Sequence, residues 1–333
     1  MNKKFLENIF DNSKTKKIFI IGDVMLDRYL LGDVTRISPE APVQVFDIMK
    51  SEFRLGGAAN VAYNVKTLGA EPLLIGIMGE DAEGKLLIEE MKKLSLSING
   101  LIIEKGRTTT CKTRVISDSH HLLRIDSESK EDISAESENK IISLLEKHLS
   151  EIGIIILQDY NKGVLTKNLI QKVSEFAEKN KLRILVDPKF DNFFEFKNVY
   201  LFKPNRKELE DALGKKAKHN GDLDEFAGEI MNKLNCQNLI LTLGEHGMMI
   251  LENTNGMLKK EIIPTKARRV ADVSGAGDTV ISTIAVCLAG GADIKDSALI
   301  SNYAAGIVVE EVGIKPIYKD TLIEYILKEQ PKE

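Results

Sequence analysis

The segment of this chain best suited to chemistry runs Asp272-Val273-Ser274-Gly275-Ala276-Gly277-Asp278-Thr279. Gly275, Ala276 and Gly277 lack bulk, so a backbone built from them can approach a ligand closely. The apolar run that follows predicts a helix, and the free N–H groups of its first turn converge on one point. Such a helix start is an anion site and could hold phosphoryl oxygens while negative charge moves. Asp278 would stand beside that nest and could accept a proton from a hydroxyl. A helix start also favours the ionised carboxylate and weakens it as a base. Phosphoryl transfer tolerates this, because its loose transition state depends on positioning and electrostatics more than on early deprotonation. On these residues alone a plain alternative stands: a first-turn acid that stabilises its own helix, with the glycines forming a turn. A dinucleotide fingerprint is not formed, because the third glycine is missing and no short βαβ unit with a later ribose acid follows.

Other segments carry weaker chemistry. Gly79-Glu80-Asp81-Ala82-Glu83-Gly84-Lys85-Leu86 nearly fits a phosphate loop, but Leu86 stands where a magnesium-holding Ser or Thr belongs. Its three acids would repel phosphates, so a turn leading into a helix accounts for it better. Asn205-Arg206-Lys207-Glu208 follows a strand through Pro204 and reads by itself as a helix start with an acid in its first turn. Thr242-Leu243-Gly244-Glu245-His246-Gly247 reads as a glycine hairpin. Gly56-Gly57 opens a helix. The five histidines form no cluster. His120 and His121 suit surface positions, and metal hydrolase chemistry has no support.

These segments need a scaffold. Lys17 to Gly22 is a short apolar run that predicts a buried first strand. Ala58, Val61, Ala62, Val65 and Leu68 share one helical face, which Gly69 closes. Leu73 to Ile77 predicts another buried strand and residues 82–94 a helix. From 135 onward the pattern alternates: helix 135–149, strand 152–157, helix 165–179, strand 182–187, strand 199–203, helix 206–213, helix 223–234 and strand 238–243, then a hairpin. An extended run, 267–273, precedes the glycine turn, and two long helices, 276–289 and 296–310, complete the chain. Alternation of this kind predicts an α/β fold with a doubly wound, mostly parallel sheet and helices on both faces. Two stretches, 28–54 and 101–125, are extended without crossover helices. They predict a small β lid inserted into a single domain spanning 1–333.

Composition narrows the classes. The chain has 333 residues, 43% hydrophobic and 29% charged, which suits a soluble globular protein. A formal net charge of −4 disfavours nucleic-acid and membrane-surface binding, so any anion site must be built locally. Cys111, Cys236 and Cys287 have no metal-ligand spacing and suit a reducing compartment. With no signal-peptide pattern at the N-terminus and no apolar run near the ~20 residues of a membrane span, the expectation is a cytoplasmic protein.

Taken together, the motifs resemble the PfkB (ribokinase-like) carbohydrate kinases. The resemblance is carried by Gly22-Asp23, Gly56-Gly57-Ala58-Ala59-Asn60, Gly79-Glu80-Asp81 with Gly84, Asn205-x-x-Glu208 and Asp272 to Asp278. They fall in family order across nearly the whole chain. Within that family, Gly22 to Tyr29, Arg36 to Val43, Arg54 to Val61, Asp159-Tyr160-x-Lys162-Gly163 and Asp187-Pro188-Lys189 are similar to the subgroup that phosphorylates D-glycero-β-D-manno-heptose 7-phosphate at its 1-hydroxyl. The product would be the 1,7-bisphosphate that leads to ADP-heptose and the lipopolysaccharide core. Two departures stand out: Phe190 where that subgroup reads Gly, and no room after the kinase for the cytidylyltransferase domain of bifunctional forms. The expectation is therefore a stand-alone kinase.

The resemblance implies ATP and Mg2+, with Asp278 as base and Gly275, Ala276 and Gly277 as the anion hole. It implies Asp27, Gly56, Gly57 and Asn60 around the sugar. Arg36, Lys162 and Lys189 are the candidates for the acceptor's phosphate, with Lys112 and Arg114 as alternates. Asn205, Arg206, Lys207, Glu208, Thr242, Gly244 and Gly247 are expected near the nucleotide, Glu208 acting on Mg2+ through water. Asp272 and Gly313 match a loop that holds a monovalent cation such as K+ in some relatives. The partners implied are a sugar phosphate, ATP and a second copy of the chain joined through the lid. A PfkB kinase for another sugar is one competing reading. A non-catalytic sugar-phosphate sensor is another, which the intact turn at Gly275 to Asp278 disfavours.

Overall fold

A computed structural model describes residues 1–329 except 119, 255 and 312. Strand β1 (Lys17–Gly22) lies between β4 (Glu71–Met78) and β8 (Ile152–Gln158), parallel to both. Strands buried on both faces read as continuous apolar runs, and β1 shows why. Ile18 and Ile20 join the core on one side of the sheet, Phe19 and Ile21 the core on the other. Beyond β8 the parallel array continues through β9 (Arg183–Asp187), β10 (Leu201–Phe202) and β11 (Asn238–Thr242). The hairpin β12 (Met248–Thr254) and β13 (Met257–Ile263) closes that edge antiparallel, and β5 (Leu101–Ile103) forms the other edge beside β4. The sheet has nine strands in the order β13-β12-β11-β10-β9-β8-β1-β4-β5.

Helices cover both faces. One core takes side chains from α1 (Lys3–Asn12), α2 (Ala58–Thr67), α3 (Ala82–Lys93), α8 (Ala276–Ala289), α9 (Ile294–Val309) and α10 (Lys319–Glu329). The opposite core takes them from α4 (Ala135–Lys147), α5 (Lys167–Lys179), α6 (Arg206–Leu213) and α7 (Asn220–Leu234). No helix among the described residues is long and apolar enough to cross a membrane.

A second sheet of four strands stands at the carboxyl end of β1. Its order is β3-β2-β6-β7, from β2 (Val24–Ile37), β3 (Gln44–Gly57), β6 (Thr110–Ser117) and β7 (His120–Ser127). The β2–β3 ribbon sets Asp27 opposite Arg54, and the parallel β2–β6 pair sets Asp27 opposite Lys112.

Several local expectations change. Helices α1 and α10, the first and last elements of the described residues, are not predicted from the sequence. In α1, Leu6, Ile9 and Phe10 form a buried stripe and Asn2 caps the first turn. Leu101–Ile103 belongs to the large sheet, not to the second one. The strand expected at 199–203 shrinks to two residues, and 267–273 forms no strand. The near-phosphate loop at 79–86 is a helix start: Asp81 accepts from Gly84 N–H at 2.8 Å and Thr109 N–H at 2.7 Å, so it caps its own helix.

Candidate active site

In open α/β sheets the carboxyl ends of parallel strands face the ligand crevice. Here β1, β8 and β9 end in Gly22, Gln158 and Asp187, beside the first turn of α8. Gly275 has φ 79°, a left-handed conformation that glycine adopts without strain, and it turns the chain into the helix. The N–H groups of Gly277 and Asp278 have no hydrogen-bond acceptor among the described residues. A side-chain carbon at Gly277 would sit 3.6 Å from both Asp187 Oδ2 and Lys203 Nζ, so glycine leaves that space open.

Asp278 is 3% exposed. Its Oδ2 accepts from Asn60 Nδ2 at 2.8 Å. Its Oδ1 accepts from the Tyr160 hydroxyl at 2.7 Å and from Gln158 Nε2 at 3.2 Å. Burial pushes the carboxyl up to about 6, against the pull of Asn60 and Tyr160; the charge of Asp187 adds to the rise and Lys203 opposes it. A carboxylate ionising near neutrality is a better base than an exposed one. Burial, and then the Asp278 charge, hold the Tyr160 phenol protonated. Gln158 Nε2 also donates to Asp187 Oδ2 at 3.1 Å, and Asp187 is paired with buried Lys203 at 2.9 Å.

The loop carrying Tyr160 hangs on Asp23. That buried carboxylate accepts from the backbone N–H of Tyr160 at 2.7 Å, Lys162 at 3.1 Å and Val164 at 3.2 Å. Burial raises the Asp23 carboxyl and these three donors counter it. Asp159 alongside is pushed up to about 7, by burial and then by the Asp23 charge.

On one side of Asp278 a cavity of about 990 Å³ opens. It is lined by the turn residues Gly275, Ala276 and Gly277 and by Asn205, Arg206, Lys207, Glu208, Thr242, Gly244 and Gly247. Asn205 and Glu208 form a capping box, each side chain accepting from the other's backbone N–H at 2.8 Å. Arg206 is turned to Glu210 at 2.9 Å. Lys189 lines the same cavity, paired with Glu208 and with its ammonium 5.4 Å from the Tyr160 ring centre. The structure therefore sets Lys189 with the nucleotide candidates and not with the sugar candidates. Burial alone would lower its pKa, but Asp187 and Glu208 hold it above the ordinary value. Glu208 and Asp187 line this cavity, and carboxylates are the hard oxygen donors that a hydrated Mg2+ takes.

On the other side lies the second sheet. Asp27 is buried and paired with Arg114, yet burial still raises its carboxyl. A side-chain carbon at Gly56 would lie 2.2 Å from Asp27 Oδ2, and Gly57, at φ 56°, packs against Asp23 O. The guanidinium groups of Arg54 and Arg114 both approach the Tyr29 ring, 4.6 Å and 5.3 Å from its centre. Lys162 and Lys112 converge on Glu128, at 2.9 and 3.4 Å. Arg36 is not brought to this group. It is exposed near the far end of β2, nine residues beyond Asp27, or about 30 Å of strand. His120 and His121 are exposed on β7. Asp272 holds the turn from outside: Oδ1 accepts from Ser274 N–H and Oδ2 from Gly313 N–H, both at 2.9 Å.

No role is predicted from sequence for Gln158, Asp187, Lys203, Tyr160 or Asp23. A signal was present, since Gln158, Asp187 and Lys203 are the polar residues that end apolar runs of a parallel sheet.

Parallel strands whose carboxyl ends meet a glycine-started helix, a buried carboxylate in that helix's first turn and a cavity of about 990 Å³ beside it are the parts of a phosphotransferase scaffold. The family model described as pfkB family carbohydrate kinase matches residues 15–320, and the chain belongs to that family. The chain is 38% identical over 317 residues to the bifunctional protein HldE of Trichlorobacter lovleyi, covering 95% of this chain and 64% of that one. It is 40% identical over 313 residues to HldE of Sulfurimonas denitrificans, covering 94% and 65%. The chain thus spans just under two thirds of the length of these relatives. Arabidopsis thaliana ribokinase, solved with ribose and ATP, matches with TM-score 0.74 at 17% identity, covering 94% of this chain and 99% of that one. Phosphofructokinase-2 of Escherichia coli, solved with fructose-6-phosphate, matches with TM-score 0.74 at 18% identity over the same shares. These two likenesses establish the ribokinase-like fold.

Proposed function

We propose that the chain transfers the γ-phosphoryl group of ATP to the 1-hydroxyl of D-glycero-β-D-manno-heptose 7-phosphate, giving the 1,7-bisphosphate for ADP-heptose and lipopolysaccharide core synthesis. The observation that carries the reading is Asp278: a buried carboxylate at an anion-binding helix start, between the 205–208 cavity and the Asp27–Asn60 side. The likeness of Gly22 to Tyr29, Arg36 to Val43 and Arg54 to Val61 to heptose 7-phosphate kinases supports the acceptor. Asp278 takes the hydroxyl proton. The N–H groups of Gly277 and Asp278, with Lys203 behind them, favour charge on the phosphoryl oxygens. Glu208 would hold Mg2+ through water, and the ion would supply charge neutralisation on the nucleotide phosphates. Asp27 and Asn60 bind sugar hydroxyls, with Gly56 and Gly57 leaving room. Lys162, Lys112 and Arg114 are better placed than Arg36 to meet the acceptor's phosphate.

The chain as one kinase domain, with the second sheet as its lid, is part of this reading. So is a homodimer through that sheet, supported by Ile37, Ile48, Met49, Leu123 and Ile125, apolar residues all more than half exposed; light scattering of a monomer would contradict it. A monovalent cation such as K+ at the Asp272–Gly313 loop is included, with replacement of K+ by tetramethylammonium expected to lower turnover. A cytoplasmic setting suits ATP supply and buried free thiols. Phe190, 59% exposed beside Lys189, favours a second reading in which a related sugar phosphate is the acceptor.

ATP consumption with the heptose phosphate, beside fructose 1-phosphate, fructose 6-phosphate and ribose, tests the proposal. Turnover confined to the heptose phosphate supports it, and preference for another acceptor overturns the substrate.

A further inference from the structure

Asp278 receives more donors than a helix start requires. Oδ1 accepts the Tyr160 hydroxyl at 2.7 Å and the Gln158 amide at 3.2 Å, whereas among the described residues Oδ2 accepts Asn60 Nδ2 alone, at 2.8 Å. A carboxylate oxygen offers about two lone-pair directions. Oδ1 is therefore filled and Oδ2 keeps one open. We propose that Oδ2 is the atom that takes the proton of the acceptor hydroxyl, and that Tyr160 is the positioning residue that aims it by filling Oδ1 together with Gln158. The assignment rests on the phosphoryl-transfer reading above. In that step the acceptor oxygen bonds to the γ-phosphorus and the bond from phosphorus to the β–γ bridging oxygen breaks. The electron pair leaves with ADP, and the hydroxyl proton passes to Oδ2.

Tyr160 is built to hold one position. Its backbone N–H is tied to Asp23 Oδ2 at 2.7 Å, and the Lys189 ammonium lies 5.4 Å from its ring centre. Gln158 is equally constrained, because its amide nitrogen lies between two carboxylates, Asp278 and Asp187 at 3.1 Å. Carboxylates only accept, so the amide must present its N–H groups to both. The charged and polar groups facing Asp278 are then Asn60 from α2, Gln158 from β8, Tyr160 from the next loop, Asp187 from β9 and Lys203 after β10. Lys189 also faces it directly, since the Asp278 charge helps hold the Lys189 ammonium, and Asp27 acts on it through Tyr160.

A neutral donor favours the charged form of a carboxylate. Tyr160→Phe keeps the ring and its Lys189 contact and removes that donor. The acidic limb of the kcat–pH profile should then move up by about one pH unit, on the order of one hydrogen bond to a charge. At pH 7 kcat should fall roughly tenfold, part from protonation and part from a freed Oδ1. Wild type and variant are compared on the same acceptor and nucleotide, so substrate ionisations cancel, and calorimetric ATP binding checks the fold. Gln158→Met removes the other Oδ1 donor and should move the limb the same way; it carries the test if Tyr160→Phe does not fold. A limb left in place, whatever the rate, overturns the assignment. A wild type inactive on every acceptor overturns the reading beneath it, which is a different result from an active wild type whose limb does not move.

Discussion

Lys203 and Asp187 form an ion pair at 2.9 Å, with side chains 3% and 7% exposed. Lys203→Met leaves the Asp187 carboxylate buried with the Gln158 amide at 3.1 Å but without its cation. Removing one partner of a buried pair costs about 3–5 kcal/mol, because the remaining charge stays desolvated. For 333 residues, an unfolding entropy near 2.1 cal/mol/K per residue gives about 0.7 kcal/mol/K. The expected loss is thus about 4–7 °C in Tm by scanning calorimetry at pH 7.5. The neutral pair Asp187→Asn with Lys203→Met should recover most of it, since neither charge is then stranded. A single-variant loss under about 1 °C, or a double variant that loses the sum of its singles, would refute the reasoning.

Gly56→Ala forces a carbon to within 2.2 Å of Asp27 Oδ2 and 2.7 Å of Met25 Cγ. Steady-state kinetics should show a raised KM for the acceptor with KM for ATP unchanged, and overpacking should cost about 1–3 kcal/mol of stability. Stability should also report the Asp278 carboxyl, which burial raises from 3.8 to about 6. A raised acid binds its proton more tightly in the folded state, so its contribution is present below about pH 4 and is lost as pH rises through about 6. That loss is about 3 kcal/mol at 1.36 kcal/mol per unit. Asp278→Asn has no such dependence. The difference in Tm between this variant and wild type should therefore move in the variant's favour between pH 4.5 and 7.5, and a difference constant with pH would contradict the burial argument.

Sequence legibility followed the strength of local signals. The α6 boundaries, Arg206–Leu213, match the expectation because a capping box marks the start and Gly214 at φ 63° the end. The parallel strands β1, β4, β8, β9 and β11 were legible because each is a largely buried apolar run, whereas β5, a three-residue edge strand, was not. Helices α1 and α10 were not: their stripes are short, three buried residues each, and much of their surface is polar. The turn at Gly275 to Asp278 was legible from small residues before an apolar helix. What surrounds Asp278 was not, since Asn60, Gln158 and Tyr160 lie 218, 120 and 118 residues away in the chain. Only the folded sheet brings the ends of β8 and β9 beside α2 and α8. Lys189 shows the same limit. Its sequence neighbours match a sugar-kinase motif, but its partner Glu208 is set by the start of α6.

The most direct test compares wild type with Asp278→Asn for phosphoryl transfer to the best acceptor, with ATP affinity measured on both by calorimetry. The account predicts a fall in kcat on the order of a thousandfold, within the range for losing a positioned base, with ATP affinity within about threefold of wild type. Turnover near the wild-type rate in Asp278→Asn would contradict the assignment of Asp278 as the group that takes the acceptor proton.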